Sequence, residues 1–196
     1  MQPDSRCVFV KTLVMGVALF VSAAAVAVDP GGSNSHMILR MTRHMGLVAG
    51  PDNGPRVVVW DDGVVDIHYP AFMKRAGDYR LELDGIELEA FVSDLVGSGL
   101  LEFDPTLVRE ELAHKAASSG GAGRVVSQEM DRGFTGIEYR LPAAADKGMV
   151  QGAVRWTGLQ SSARRHPDVK ALQELARIER RLLDLANDAR VVRVTQ

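Results

Sequence analysis

Cysteine is almost missing from this chain: Cys7 is the only one in 196 residues. With no second cysteine there is no internal disulfide. Beyond residue 27 there is also no thiol nucleophile and no thiolate metal site. An excess of charge of either sign is missing too. The formal net charge is −2, which supplies no electrostatic footprint for nucleic acid and no attraction to anionic lipid. Catalytic signatures of fixed spacing are absent: there is no G-x-S-x-G, no G-x-x-x-x-G-K, no H-E-x-x-H and no C-x-x-C. A hydrolase on this chain has to assemble its site from distant residues. Long uncharged runs are confined to the first 27 residues.

That start has three parts. Arg6 and Lys11 mark a polar opening, residues 12–26 carry no charge, and Ala25-Val26-Ala27 offers a small-x-small cleavage site. This is the layout of a secretory signal peptide. A retained membrane anchor is the alternative, but the run is near the lower limit for spanning a bilayer. Asp29-Pro30-Gly31-Gly32 also breaks the chain just after it. The expectation is cleavage near Ala27, a periplasmic or secreted product and no stable membrane insertion. Cys7 precedes the apolar run, so it is not the cysteine that takes a lipid after cleavage.

Residues 28–36 are rich in Gly, Ser and Asn and read as a disordered lead-in. One domain follows over 37–196, with 37–117 and 124–196 as its two lobes if it divides. Strands are expected at 36–45, 79–83, 125–130, 134–141 and 149–156, and an edge strand at 191–195. In 56–69, two β-branched runs flank Asp62-Gly63, a turn dipeptide. A two-residue loop there pairs Trp60 with Val65 and Val58 with Ile67, which places all four on one face. Leu88, Phe91, Val92, Leu95 and Val96 recur at helical spacing over 85–96. Asp104-Pro105 opens a second helix to 117, as an N-cap followed by proline in the first turn. Leu172, Leu175, Ile178, Leu182 and Leu185 form the stripe of a long helix over 167–186. Strands grouped ahead of helices predict an α+β fold. It has antiparallel sheet, two short helices mid-chain and one long C-terminal helix packed on the sheet.

Few residue groups suggest chemistry. Asp61 and Asp62 are adjacent carboxylates, suited to acid–base work or simply to a turn. Asp66 and His68 share one face of the hairpin, where a proton or a metal could be held, although a metal needs more ligands. Met37, Met41, His44 and Met45 crowd into residues 36–45. Thioether and imidazole suit copper(I), and the same methionines suit a core stripe. Arg164 and Arg165 precede the long helix, where they could dock an acidic partner. Their charge would then oppose the dipole of a helix N-terminus. No cofactor is implied.

One pattern is more specific. A strand runs into Met45-Gly46-Leu47-Val48-Ala49-Gly50, and 88–104 reads L-x-x-F-V-x-x-L-V-x-x-G-L-L-x-F-D. An Asp-led strand segment follows at 131–141, then a helix beginning at Pro167. This order resembles the emfourin type of bacterial protein inhibitors of thermolysin-like metalloproteases. It also resembles a looser set of exported bacterial domains of unknown function. The family's opening Ser-Gly-Gly-Phe-Ala-Gly is here reduced to Gly46, Ala49 and Gly50. The hairpin over 56–69 and the second helix are additions to that pattern. The resemblance implies an α+β topology and, as the first contact with a protease, the loop at 46–54. The expected function is that of an exported, non-catalytic domain that binds another protein. Protease inhibition, periplasmic copper binding and a hydrolase with a scattered site are the alternatives.

Overall fold

The computed structural model describes residues 35–46, 50, 52–118, 133–143 and 148–195. The expected signal peptide, most of the lead-in and the strand expected at 125–130 lie outside the described residues. The chain forms β1 (Met37–His44), β2 (Arg56–Trp60), β3 (Val64–Tyr69), β4 (Gly77–Glu82), α1 (Gly85–Gly97) and α2 (Pro105–Ser118). It continues through β5 (Phe134–Pro142), β6 (Met149–Thr157), α3 (Leu159–Arg165), α4 (Lys170–Ala186) and β7 (Val192–Arg193). The strands make one antiparallel sheet in the order β6-β5-β1-β2-β3-β4-β7. The fold is therefore α+β, as expected. Because β5 pairs directly with β1, the two halves of the chain share one sheet instead of forming separate lobes. Among the described residues no helix is long and apolar enough to cross a membrane.

Strand period two divides the sheet into two faces. Leu39, Met41, Val57, Val59, Val65, Ile67, Leu81, Ile137, Tyr139, Leu141, Val154 and Trp156 lie on the face that carries the core, and all are buried. The long helix α4 supplies the other side of that core through Leu172, Leu175, Ile178 and Leu182, each at most 2% exposed. A fully buried side chain of this kind contributes about 1.5–3 kcal/mol. Surface pairs such as Arg177 with Asp94, 2.8 Å apart, contribute about 0–1 kcal/mol each. The apolar stripe, and not its charged flank, therefore holds α4 in place.

Helix starts follow the sequence closely. Asp84 caps α1 by accepting from Glu87 N–H, and the Glu87 carboxylate accepts from Asp84 N–H in return, so two orphan donors are satisfied reciprocally. Asp104 accepts from Thr106 N–H at 2.7 Å ahead of α2. The helix count differs from expectation. α3 occupies the connection between β6 and α4, starting from Gly158 at φ 61°, and α4 begins only at Lys170.

The β2–β3 register also differs. Val59 faces Val65 and Val57 faces Ile67, one residue from the expected pairing. The loop has three residues, not two: Gly63 N–H donates to Trp60 O, and Gly63 takes φ +86°, the left-handed residue that closes such a loop with a bulge. Val58 and Trp60 consequently lie on the opposite face from Val65 and Ile67.

The end of the lead-in is held. Ser35 Oγ–H donates to Asp62, and His36 N–H donates to Asp61 at 2.8 Å. The Ser35 hydrogen bond holds the Asp62 carboxyl below its ordinary value of 3.8, with Val64 N–H adding to the effect. A depressed carboxyl contributes stability above its unfolded value and loses it as pH falls through the native one. An NMR titration should place Asp62 below 3.8 in the native protein and return it toward that value in Ser35→Ala.

The one fully buried charged side chain is a second constraint among the described residues. Glu179 of α4 is 1% exposed. It accepts from Thr135 Oγ–H at 2.7 Å, from the Gln160 amide and from Arg43 Nε–H at 3.2 Å. Removing one side of a buried pair leaves the other partners unsatisfied. Glu179→Ala should lower unfolding free energy in urea by about 3 kcal/mol, and Glu179→Gln, which keeps an acceptor, by less.

Candidate functional site

The face of the sheet away from α4 is polar, and its residues form rows set by register. One row runs Asp78, His68, Arg56, Thr42, Gly136, Arg155 across six strands. The next runs Arg80, Asp66, Val58, Arg40, Glu138, Ala153. Ion pairs knit the second row: Arg80 to Asp66 at 3.0 Å and Arg40 to Glu138 at 3.3 Å. Asp66 also accepts from Trp60 Nε1–H at 2.9 Å. This bond satisfies the indole nitrogen of a side chain only 3% exposed.

At the end of these rows the chain turns from β1 into β2, and the base of that turn is braced. Arg43 N–H donates to Pro55 O at 3.0 Å and Met45 N–H to Asn53 O at 3.2 Å. The Nδ1 atom of His44 bonds the Asn53 side-chain oxygen. The His44 ring stacks on Phe134 with centroids 4.0 Å apart, and Arg155 Cζ sits 3.5 Å from the Phe134 centroid. On the other flank His68 has a carboxylate at each ring nitrogen, Asp78 at 2.6 Å and Asp52 at 2.9 Å. Asp52 belongs to the turn itself, so His68 fastens the turn to β3 and β4. Two glycines permit this packing. A Cβ on Gly54 would lie 1.5 Å from Arg43 O, and one on Gly133 would lie 2.0 Å from His44 O.

The residues singled out in sequence divide accordingly. Gly46 and Gly50 are exposed at the turn, and Gly50 takes φ +113°. Ala49 lies outside the described residues. Met45 is 40% exposed beside Gly46. The methionine and histidine ligands proposed for copper do not converge: Met41 is fully buried on the core face, whereas His44 lies on the polar face with Phe134. Met37 is half-buried at the far end of β1. Among the described residues no group of three His, Cys, Asp or Glu is placed to hold a metal ion. Asp61 and Asp62 accept from His36 N–H and Ser35 Oγ–H, and Asp62 also accepts from Val64 N–H in its own turn.

Arg164 and Arg165 require a correction. They sit in the last turn of α3, not at a helix N-terminus, so the dipole favours them. Arg165 Nε–H donates back to Ser161 O, and no hydrogen bond or ion pair among the described residues joins either arginine to the β1–β2 turn. Asp52, Asn53 and Gly54 fall within the loop expected at 46–54 but carried no role of their own there, and Phe134 and Arg155 carried none at all. Their association depends on cross-strand register, for which an isolated Asn or Phe gives no signal.

No protein-family model, no curated protein and no solved structure gives a significant match to this chain.

Gly54 tests the brace. Any side chain at 54 must push the turn away from Arg43 O, so Gly54→Ala should cost about 1–3 kcal/mol by overpacking. In hydrogen exchange the loss of protection should be concentrated at Arg43 and Met45 amides, with the core strands β3 and β4 unaffected.

Proposed function

We propose that this protein is an exported, non-catalytic binding domain that presents its β1–β2 turn to a protein partner. The partner class is a thermolysin-like metalloprotease. The observation that carries the reading is the braced base of the turn. Backbone bonds from Arg43 and Met45, the His44–Asn53 bond and the Asp52–His68 contact hold it from both flanks. Met45, Gly46 and Gly50 of the turn are exposed. Holding a recognition loop in place before contact lowers the ordering cost of binding. A rigid scaffold with an exposed loop is the common arrangement for this purpose.

Three further points support it. The apolar start of the chain, with Ala25-Val26-Ala27 after it, favours export. The resemblance to emfourin-type inhibitors falls on this same turn. Finally, the carboxyls whose titration is displaced, Asp62, Glu87, Asp168 and Asp188, owe it first to a surface hydrogen bond from Ser35, Arg190, Lys115 and Arg190 respectively. That is the behaviour of structural pairs, not of acid–base groups sharing a cleft.

The test is stoichiometric inhibition. Titrating the protein into a thermolysin-like protease should abolish peptide hydrolysis near a one-to-one ratio, with the inhibitor recovered uncut. Met45→Glu and Gly46→Arg should each weaken inhibition about tenfold or more at unchanged melting temperature. Full protease activity in the presence of a large molar excess, or rapid cleavage of the protein, would sink the reading.

A further inference from the structure

The two edges of the sheet are protected very differently. At one, β7 is two residues long, and Arg193 folds back so that its guanidinium donates to Ala76 O at 3.1 Å. At the other, β6 runs nine residues, MVQGAVRWT, with no proline and no lysine, and pairs with β5 in unbroken register. Among the described residues nothing pairs with its outer side. Short strands, lysines, prolines and bulges are the usual means of blunting an edge, and β6 has none of them.

The ladder settles which groups face outward. Gly158 N–H donates to Gly133 O at 2.9 Å and Ala143 N–H to Gly148 O at 2.8 Å. Even-numbered residues of β6 therefore bond to β5. In an antiparallel ladder the alternate residues turn their N–H and C=O the other way. These are Met149, Gln151, Ala153, Arg155 and Thr157, and all five are exposed.

We propose that this edge pairs with the same edge of a second copy of the chain. The two strands run antiparallel about a two-fold axis at Ala153 and join the two sheets into one. That register pairs all nine residues and forms about ten backbone hydrogen bonds. It sets Gln151, a carbonyl acceptor, opposite the second copy's Arg155, and Met149 opposite its Thr157. On the core side Gly152 lies opposite Val154, and Val150 opposite Trp156. At the axis itself two alanines meet, the smallest side chains that keep a strand conformation. Centring the pair on Arg155 would bring two guanidinium groups together, which is unfavourable. Centring it on Gln151 would leave Arg155 and Thr157 unpaired. The sequence of β6 thus complements itself in one register, which singles out a second copy over an unrelated strand.

The purified protein, expressed from the whole chain, provides the test by light scattering after size exclusion. The expected mass is twice 21.3 kDa, less the leader if it is processed. Ala153→Lys places two like charges at the axis, with the side chain on the exposed face. It should give a monomer with an unchanged circular dichroism spectrum. Directly opposed residues in a hydrogen-bonded pair lie about 5.5 Å apart, within disulfide reach. In a Cys7→Ser background Ala153→Cys should therefore crosslink on mild oxidation, whereas Gln151→Cys, far from its own copy, should not. A monomeric native protein, a dimer that survives Ala153→Lys, or equal crosslinking at 151 and 153 would each overturn the proposal.

Discussion

The buried carboxylate of Glu179 is the constraint around which the other elements are arranged. Stripping a carboxylate of water costs several kcal/mol, and the cost is offset only when charge and hydrogen bonds are returned with good geometry. Here the returns come from three elements: Thr135 of β5, Gln160 of α3 and Arg43 of β1. None of these donors can move far without leaving the charge exposed to an apolar interior. The contact therefore ties α4 to the β1–β5 pair and to α3. Apolar packing supplies more energy, but it is tolerant of small displacements, whereas the carboxylate demands particular donors at particular places.

Arg43 carries that constraint to the surface. Its side chain reaches Glu179 on the core face, while its N–H donates to Pro55 O. Its carbonyl packs so closely on Gly54 that no larger residue fits there. One residue thus couples the core of the domain to the base of the β1–β2 turn. The next residue, His44, turns to the opposite face and extends the brace through Phe134 and Asn53. Strand period two makes this division of labour possible. It also separates Met41, on the core face, from His44 on the polar one.

Much of the fold was legible in the sequence because its signals were local. The Asp104 cap, the spacing of Leu88 to Val96 and the stripe of α4 each lie within one helix, and all appear where they are expected. Cross-strand relations were less accessible. Asp62-Gly63 suits a two-residue loop and a three-residue loop with a bulge alike. The alternation that should distinguish them fails because Val57, Val58, Val59 and Trp60 are all buried. A strand covered on both faces carries no alternation to read. α3 was missed because seven residues give too few turns for a period. Glu179 was accessible in principle: it stands four residues after Leu175 and three before Leu182, inside the apolar stripe. A charged residue there signals a buried partner on the sheet, but only the β1–β5 register identifies Arg43 and Thr135.

The candidate site is the least legible part because none of its members is unusual alone. Asp52, Asn53, His68 and Phe134 are ordinary turn and strand residues, and they become a brace only when four strands bring them to one end of the sheet. The same logic applies at the β6 edge. No single residue there marks an interface. The feature is a relation, five outward backbone pairs followed by side chains that match themselves when the strand is reversed. Both proposals rest on what an antiparallel sheet leaves over after its core is closed: the turn at the end of its strands and, among the described residues, the outer side of its last one. In this domain side chains brace the base of the turn, while among the described residues nothing pairs with the outer side of β6. Natural sheets commonly blunt such edges against aggregation, so a nine-residue edge without that protection favours a partner that covers it.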